Sequence, residues 1–250
     1  MKIISWNING LRSIYKKGFL KWLKEVDADI LCLQETRVQW EELSADFLNL
    51  KNYNIYFSQS SKKGYAGVAI YTKEKPLLVE KKLGLQRFDK EGRILKIKYS
   101  NFTLINLYLP HGGRSKENLP YKLKVYNQLL KYLEKIKNEK FILTGDFNIA
   151  HQEIDLARPE ENKNNIMFTQ KEKDQIEKII GLGFKDSFRM FNQEGGNYTW
   201  WPYFANARAR NLGWRIDYIF VSNSFSKNIK NAFILNNITG SDHCPVGIEF

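Results

Sequence analysis

Across 250 residues the chain carries 39 Lys and Arg against 27 Asp and Glu, a net charge of +12, and 43% hydrophobic content gives enough apolar material for a large core. The positive excess favours a polyanionic partner, either nucleic acid or an anionic membrane surface, although a Lys-rich solvated face gives the same total. The opening MKIISWNING has no apolar stretch of signal-peptide length, and no run approaches the roughly 20 apolar residues of a membrane span; with only Cys32 and Cys244, and no CxxC spacing, disulfide scaffolds and zinc modules are disfavoured. A soluble, reduced, cytoplasmic protein with a single domain over residues 1–250 is expected.

In chain order, KIISW reads as a strand, Phe19, Leu20, Trp22, Leu23 and Val26 make the apolar face of a short helix, and DILCLQ is a second strand. AGVAIYT, RILKIKY and FTLINLYL follow as strands, some alternating and some continuously apolar, as suits sheets buried on at least one face. Leu123, Tyr126, Leu130, Leu133 and Ile136 space a longer helix, and FILTGD is the next strand. TQKE, from Thr169, is a capping box that opens a helix carrying Ile176, Ile179 and Ile180 and stopping at Gly181 and Gly183. DYIFVS and VGIEF complete a mixed α/β chain. Stretches 58–65, 84–92, 111–120, 149–168 and 192–213 read as loops, where functional groups tend to lie.

Polar residues gather at the strand ends. Asn7 and Asn9 follow KIISW, Glu35 follows DILCLQ, Tyr108 sits near the end of FTLINLYL, Asp146 and Asn148 follow FILTG, Asp217 opens DYIFVS, and Asp242 and His243 precede the last strand. Singly, each is an ordinary turn residue. Together they form a set suited to phosphodiester hydrolysis. A hard divalent cation takes oxygen ligands, for which Glu35 and Asp242 are candidates. A histidine oriented by a carboxylate, His243 with Asp217, can activate water. Asn7, Asn148 and Tyr108 can donate to the charge that develops on phosphate oxygens. With three histidines and no cysteine cluster, zinc is disfavoured.

SWNINGLR, LQET, KKGYAGVAIYT, EGRILKI, NLYLP, GDFNIA, GWRIDYIFVS and GSDHCP occur in this order from residue 2 to residue 250, and the ordered set resembles the exonuclease III family of apurinic/apyrimidinic (AP) endonucleases. The resemblance implies the four-layered α/β sandwich of the wider DNase I-like superfamily, two packed mixed sheets flanked by helices, with the active site at one sheet edge. It implies Glu35 as principal metal ligand, supported by Asn7 and Asp242, with Mg2+ as the cofactor and Mn2+ as its substitute. His243 is then the group at the scissile phosphate or at the activated water, Asp217 orients it, Asp146 and Asn148 position water and phosphate, and Tyr108 contacts the phosphate. Asp146, His243 and a Tyr108 phenolate all remain open as the base.

The stretch NYTWWPYFANARARNLGWRIDY mixes Trp200, Trp201, Tyr203, Phe204 and Trp214 with Asn206, Arg208, Arg210 and Arg215, a composition suited to an extrahelical sugar and to phosphates, with core burial the lesser reading of each Trp. By resemblance, Trp200, Trp214 and Ile216 line a pocket for a flipped abasic deoxyribose, Phe204 is a minor-groove wedge, and Arg114 enters the opposite groove. Tyr65, Arg93, Asn206 and Arg208 are implied backbone contacts. His111, after YLP, stands where the family usually carries Asn or Gln, and so bears on the balance of activities. The implied function is incision 5' to abasic sites in duplex DNA, leaving a 3'-hydroxyl and a 5'-deoxyribose phosphate, with 3'-phosphodiesterase, 3'-phosphatase and 3'-5' exonuclease activity. The alternatives are a mainly 3'-end-processing exodeoxyribonuclease or a superfamily phosphatase acting on a lipid or small phosphorylated substrate. Duplex DNA with abasic sites or blocked 3' ends is the expected partner, without a membrane, and a monomer is expected.

Overall fold

The computed structural model describes residues 1–48, 50 and 52–250. The order is β1 (Lys2–Asn7), α1 (Leu11–Tyr15), α2 (Phe19–Val26), β2 (Ile30–Gln34), α3 (Ala45–Leu48), β3 (Asn54–Ser58), β4 (Val68–Thr72), β5 (Leu78–Glu80), α4 (Gln86–Lys90), β6 (Ile94–Lys98) and β7 (Thr103–Tyr108). Then come α5 (Leu119–Ile136), β8 (Phe141–Asp146), α6 (Gln170–Gly181), β9 (Phe184–Asp186), α7 (Ser187–Phe191), β10 (Asp217–Ser222), α8 (Asn223–Ser226), β11 (Asn231–Ile234) and β12 (Val246–Glu249).

The strands form two six-stranded sheets, β11-β12-β1-β2-β4-β3 and β5-β6-β7-β8-β10-β9. Each is mixed: β1/β2 and β7/β8 are parallel, and the remaining pairs are antiparallel. Because strand side chains alternate between faces, Ile3 joins the apolar layer between the sheets while Ile4 joins the layer under α1 and α2. In the second sheet, Leu104 and Ile142 face the first sheet, whereas Ile105 and Leu143 pack beneath α5 and α6. The result is helix, sheet, sheet, helix, as the resemblance implies. The helices of the sequence reading are present, and Thr169 caps α6 with Glu172 returning the bond in a reciprocal box. On α5 the buried stripe is Lys122, Val125, Tyr126, Leu129 and Leu133, so Leu123, Leu130 and Ile136 flank it instead of forming it. Residues 84–92 are not wholly loop, since α4 occupies Gln86–Lys90.

A polar bridge crosses the apolar layer between the sheets. Asn106 on β7 donates to Leu33 O at 3.0 Å and Ala69 O at 2.9 Å in the opposite sheet. Its own oxygen accepts from Gln34 Nε2 at 2.6 Å, which also donates to Ser5 at 2.9 Å. Gln34 is the register partner of Asn7 and directly precedes Glu35, so the bridge fixes how one sheet slides on the other beside these two residues. Replacing Asn106 by Leu leaves one of the two Gln34 amide N–H groups buried and unpaired, and should cost about 2–4 kcal/mol of stability. Urea unfolding would measure this; an unchanged midpoint would contradict the bridge's role.

Candidate active site

Register alone brings much of the site together. Tyr108 and Asp146 are partners across the parallel pair β7/β8, and Asp146 is the partner of Asp217 across β8/β10. Asn7 ends β1 beside the last residue of β2, so Glu35 emerges next to it. The carboxyl ends of both parallel pairs therefore meet at one end of the sandwich. The segment before β12 crosses this end, anchored by Trp6 Nε1 donating to His243 O at 3.1 Å and by the Ser241 hydroxyl donating to Asn7 O at 2.8 Å. Gly145 is required here, because a Cβ would lie 1.9 Å from Leu107 O.

Asn7 Nδ2 donates to Glu35 Oε1 and to Asp146 Oδ2, each at 2.9 Å. Asn148 donates its backbone N–H to Asp146 Oδ1 at 2.8 Å and its amide to Asp146 Oδ2 at 3.1 Å. Asp217 accepts from His243 Nδ1 at 2.9 Å and from Thr199 Oγ1 at 2.6 Å, which fixes the ring orientation, and His243 Nε2 then lies 4.0 Å from Asp146 Oδ2. Glu35 and Asn148 both adopt left-handed φ values of 52°, a costly choice for side-chain-bearing residues that persists only where the surroundings impose it.

The charges perturb one another strongly. Burial, followed by the Asp217 charge, pushes the Asp146 carboxyl up to about 7. Burial opposes protonation of His243, but Asp217 and then Asp146 overcome it and raise the imidazole to about 10. Burial and the Glu35 charge drive the Tyr108 phenol well above its ordinary value. That argues against Tyr108 phenolate as the base. Asp242 is held below the usual carboxylate range despite burial, by His243 and by hydrogen bonds from Asn9 Nδ2 at 2.8 Å and Trp200 Nε1 at 3.1 Å.

Glu35, Asp146 and His243 bring ligand atoms within 4.8 Å of one another. Asp242 is not in this trio; it reaches the site through Asn9 and Trp200. The expected neighbours Asn7 and Glu35 are together, joined by Asp146.

The nucleic-acid set divides by exposure. Arg114, Phe204, Asn206 and Tyr65 are exposed at the surface, and Trp200 and His111 are half-buried. Arg93 is buried: it donates to Tyr108 O and Tyr65 Oη and lies 4.4 Å over the Tyr108 ring. Arg208 donates to the carbonyls of Ser241, Asn236 and Ile238, so it clamps the loop before His243. Trp214 and Ile216 are 8% and 1% exposed and pack with Leu156, Ile166, Met167 and Phe168. Arg215, grouped by sequence with the phosphate-gripping side chains, is instead a buried ion-pair centre between Asp155 and Asp186, at 2.7 Å from each. Trp201 is core, beside Tyr198 and Cys244.

Sequence reading missed Thr199 and Arg37. Thr199 holds Asp217, and also accepts the N–H of Ile216 and of Asp217; nothing in NYTWW marks it. Arg37 grips Glu35 Oε2 through Nε at 3.0 Å and through a second guanidinium nitrogen, and its signal was its place in LQETR. Asn9, noted at a strand end and given no role, carries Asp242.

The Endonuclease/Exonuclease/phosphatase family profile matches residues 4–243. The chain belongs to this family. It is 43% identical to a Bacillus subtilis exodeoxyribonuclease over 249 residues, covering 98% of each protein. Among solved structures, an AP endonuclease from Archaeoglobus fulgidus superposes with a TM-score of 0.90 at 32% identity, covering 100% of this chain and 99% of the other. A 3' phosphatase from Neisseria, solved with product DNA hairpin, gives 0.92 at 30% identity with the same coverage.

The geometry suits the hydrolytic chemistry of this Endonuclease/Exonuclease/phosphatase member. Among the described residues, the carboxylates Glu35, Asp146, Asp217 and Asp242 meet two facing cations, Arg37 on Glu35 and the His243 imidazolium, so the oxygen-rich group carries more negative charge than its neighbours cancel. Such a group fits a hard divalent cation. Because the folded-state Asp146 carboxyl is raised to about 7, it is largely protonated below that pH, and its ionised form favours a cation held beside it at Glu35; affinity for Mn2+ should therefore rise from pH 6 to pH 8. Calorimetric titration of ion-free protein would show this, with the slope lost in Asp146→Asn. Equal affinity at both pH values in the unsubstituted protein would contradict the assignment.

Proposed function

We propose that the chain is a Mg2+-dependent DNA repair hydrolase acting as one catalytic domain and as a monomer, which cuts the phosphodiester 5' to an abasic site in duplex DNA and trims blocked 3' ends. The observation that carries this reading is the Asp217–His243 pair aimed at Asp146 beside Asn7 and Glu35. The similarity to AP endonucleases and exodeoxyribonucleases supplies the substrate class. The +12 charge and exposed Arg114 and Tyr65 suit phosphate contacts that position without reading sequence.

In this reading Glu35, with Asn7 beside it, would hold Mg2+, which supplies electrophilic stabilisation of the phosphate oxygens. His243 stays protonated at neutral pH because Asp217 and Asp146 face it, and so presents a positive N–H to the scissile phosphate. Asp146, poised near 7, has the affinity to take the proton of an attacking water, and Asn7 and Asn148 fix its orientation. The Asn148 amide already donates to Asp146 and to Leu109 O. Tyr108, neutral and stacked by Arg93, is a donor to phosphate.

A second reading, end processing without incision, is favoured by one observation. Trp214 and Ile216 are closed over by Ile166, Met167 and Phe168, whereas an extrahelical sugar needs that apolar pocket open. The similarity to a 3' phosphatase points the same way.

Incision of a duplex oligonucleotide with one abasic analogue, compared with release of a 3'-phosphate, in Mg2+ and in EDTA, separates the two. Mg2+-dependent cutting immediately 5' to the analogue is expected. End processing alone would overturn the first reading and uphold the second. His243→Ala should lower kcat by about a hundred- to ten-thousand-fold with duplex affinity nearly unchanged; parallel loss of both would contradict its role.

A further inference from the structure

We propose that the buried ion pair Lys122–Glu172 is a positioning element that holds three segments at the site, 111–113, 146–148 and 166–169, against one another, and so sets the balance between abasic-site incision and 3'-end processing. This rests on the nucleic-acid reading above and adds to it the residues that tune it.

Both side chains are fully buried. The three donors of the Lys122 ammonium are all engaged: to His111 O at 3.1 Å, to Asn148 O at 2.6 Å and to Glu172 Oε1 at 2.5 Å. Glu172 Oε1 also accepts Met167 N–H at 3.1 Å, and Oε2 accepts the N–H of Thr169 at 3.1 Å and its hydroxyl at 2.7 Å. One ion pair thus holds backbone groups from the segment after β7, the segment after β8 and the segment before α6. The segments also touch directly. Gly112 has a φ of +102°, and a Cβ there would fall 2.7 Å from Ile166 Cδ1 and 3.3 Å from Lys122 Cδ.

Stability does not account for the pair. The Thr169–Glu172 capping box needs no lysine, and a buried ion pair is generally matched by an apolar pair of similar volume. What the lysine adds is geometry. Asn148 and Met167 both hold left-handed φ values, 52° and 70°, and each gives a backbone group to the pair. Asn148 orients Asp146. Ile166, Met167 and Phe168 pack against Trp214, where an extrahelical sugar would enter. Both substrates need Asn148, but only an abasic nucleotide needs the aromatic pocket, so loosening the pair should act unequally on the two reactions.

The test compares Lys122→Arg with the double variant Lys122→Met/Glu172→Met, which leaves no uncompensated buried charge and is therefore expected to fold. In the double variant the ratio of kcat/KM for abasic-site incision to that for 3'-phosphate release should shift by about ten- to a hundred-fold, while Lys122→Arg keeps the wild-type ratio. Amide exchange at Asn148, whose acceptor Asp146 is unaltered, should accelerate in the double variant. Equal losses in both activities, with Asn148 exchange unchanged, would overturn the proposal. Should the unsubstituted protein act on neither substrate, the functional reading falls, and Asn148 exchange alone decides the positioning role: faster exchange upholds it and unchanged exchange ends it.

Discussion

A surplus of buried negative charge at one end of the sandwich is the constraint on which the site depends. Asp146 and Asp217 face each other on adjacent strands, and Glu35 arrives from the other sheet. Water is largely excluded, so these charges interact far more strongly than at a surface. The positive charge that answers them is the His243 imidazolium, 2.9 Å from Asp217 and 4.0 Å from Asp146, with Arg37 outside on Glu35. Burial and then the Asp217 charge push Asp146 upward, and the surrounding carboxylates, Asp217 first, push His243 upward against the opposing effect of burial. The surplus also suits this point to a divalent cation, where another carboxylate would be prohibitively costly.

The fold serves this concentration of charge by bringing the strand ends into register and then fixing one sheet on the other through Asn106 and Gln34. The irregular stretch 192–213 and the residues that follow it are pinned by their own side chains. Thr199 holds Asp217, Arg208 clamps the loop that carries His243, and Arg215 is sealed between two aspartates. Much of what reads as a basic, aromatic surface is therefore scaffolding, while Arg114, Phe204 and Asn206 remain free at the surface.

This division explains what was legible in the sequence. The inner strands of both sheets are apolar runs such as FILTGD and VGIEF, and their pattern is plain. The edge strands β3, β5, β9 and β11 are not: they are short or half-exposed, as in LVE and FKD, and an edge needs only one partner's pairing to exist. The acid and amide set at strand ends is legible because those residue types have few other reasons to recur there together. Arg93, Arg208 and Arg215 misled for a physical reason, since a guanidinium looks the same in sequence whether it meets phosphate or, as here, the protein's own carbonyls, carboxylates and phenol rings. Thr199 left no signal at all, because a hydroxyl that orients a carboxylate has no characteristic spacing.

The most direct test of the charge balance is the titration of His243 by NMR, followed through its ring nitrogens in the ion-free protein, with His111 and His151 assigned by substitution. The account predicts that His243 remains protonated well above neutrality, deprotonating near pH 10, and that Asp217→Asn brings the transition down sharply. A His243 that loses its proton near its unperturbed value of about 6.5, unaffected by Asp217→Asn, would contradict the claim that buried carboxylates organise this site.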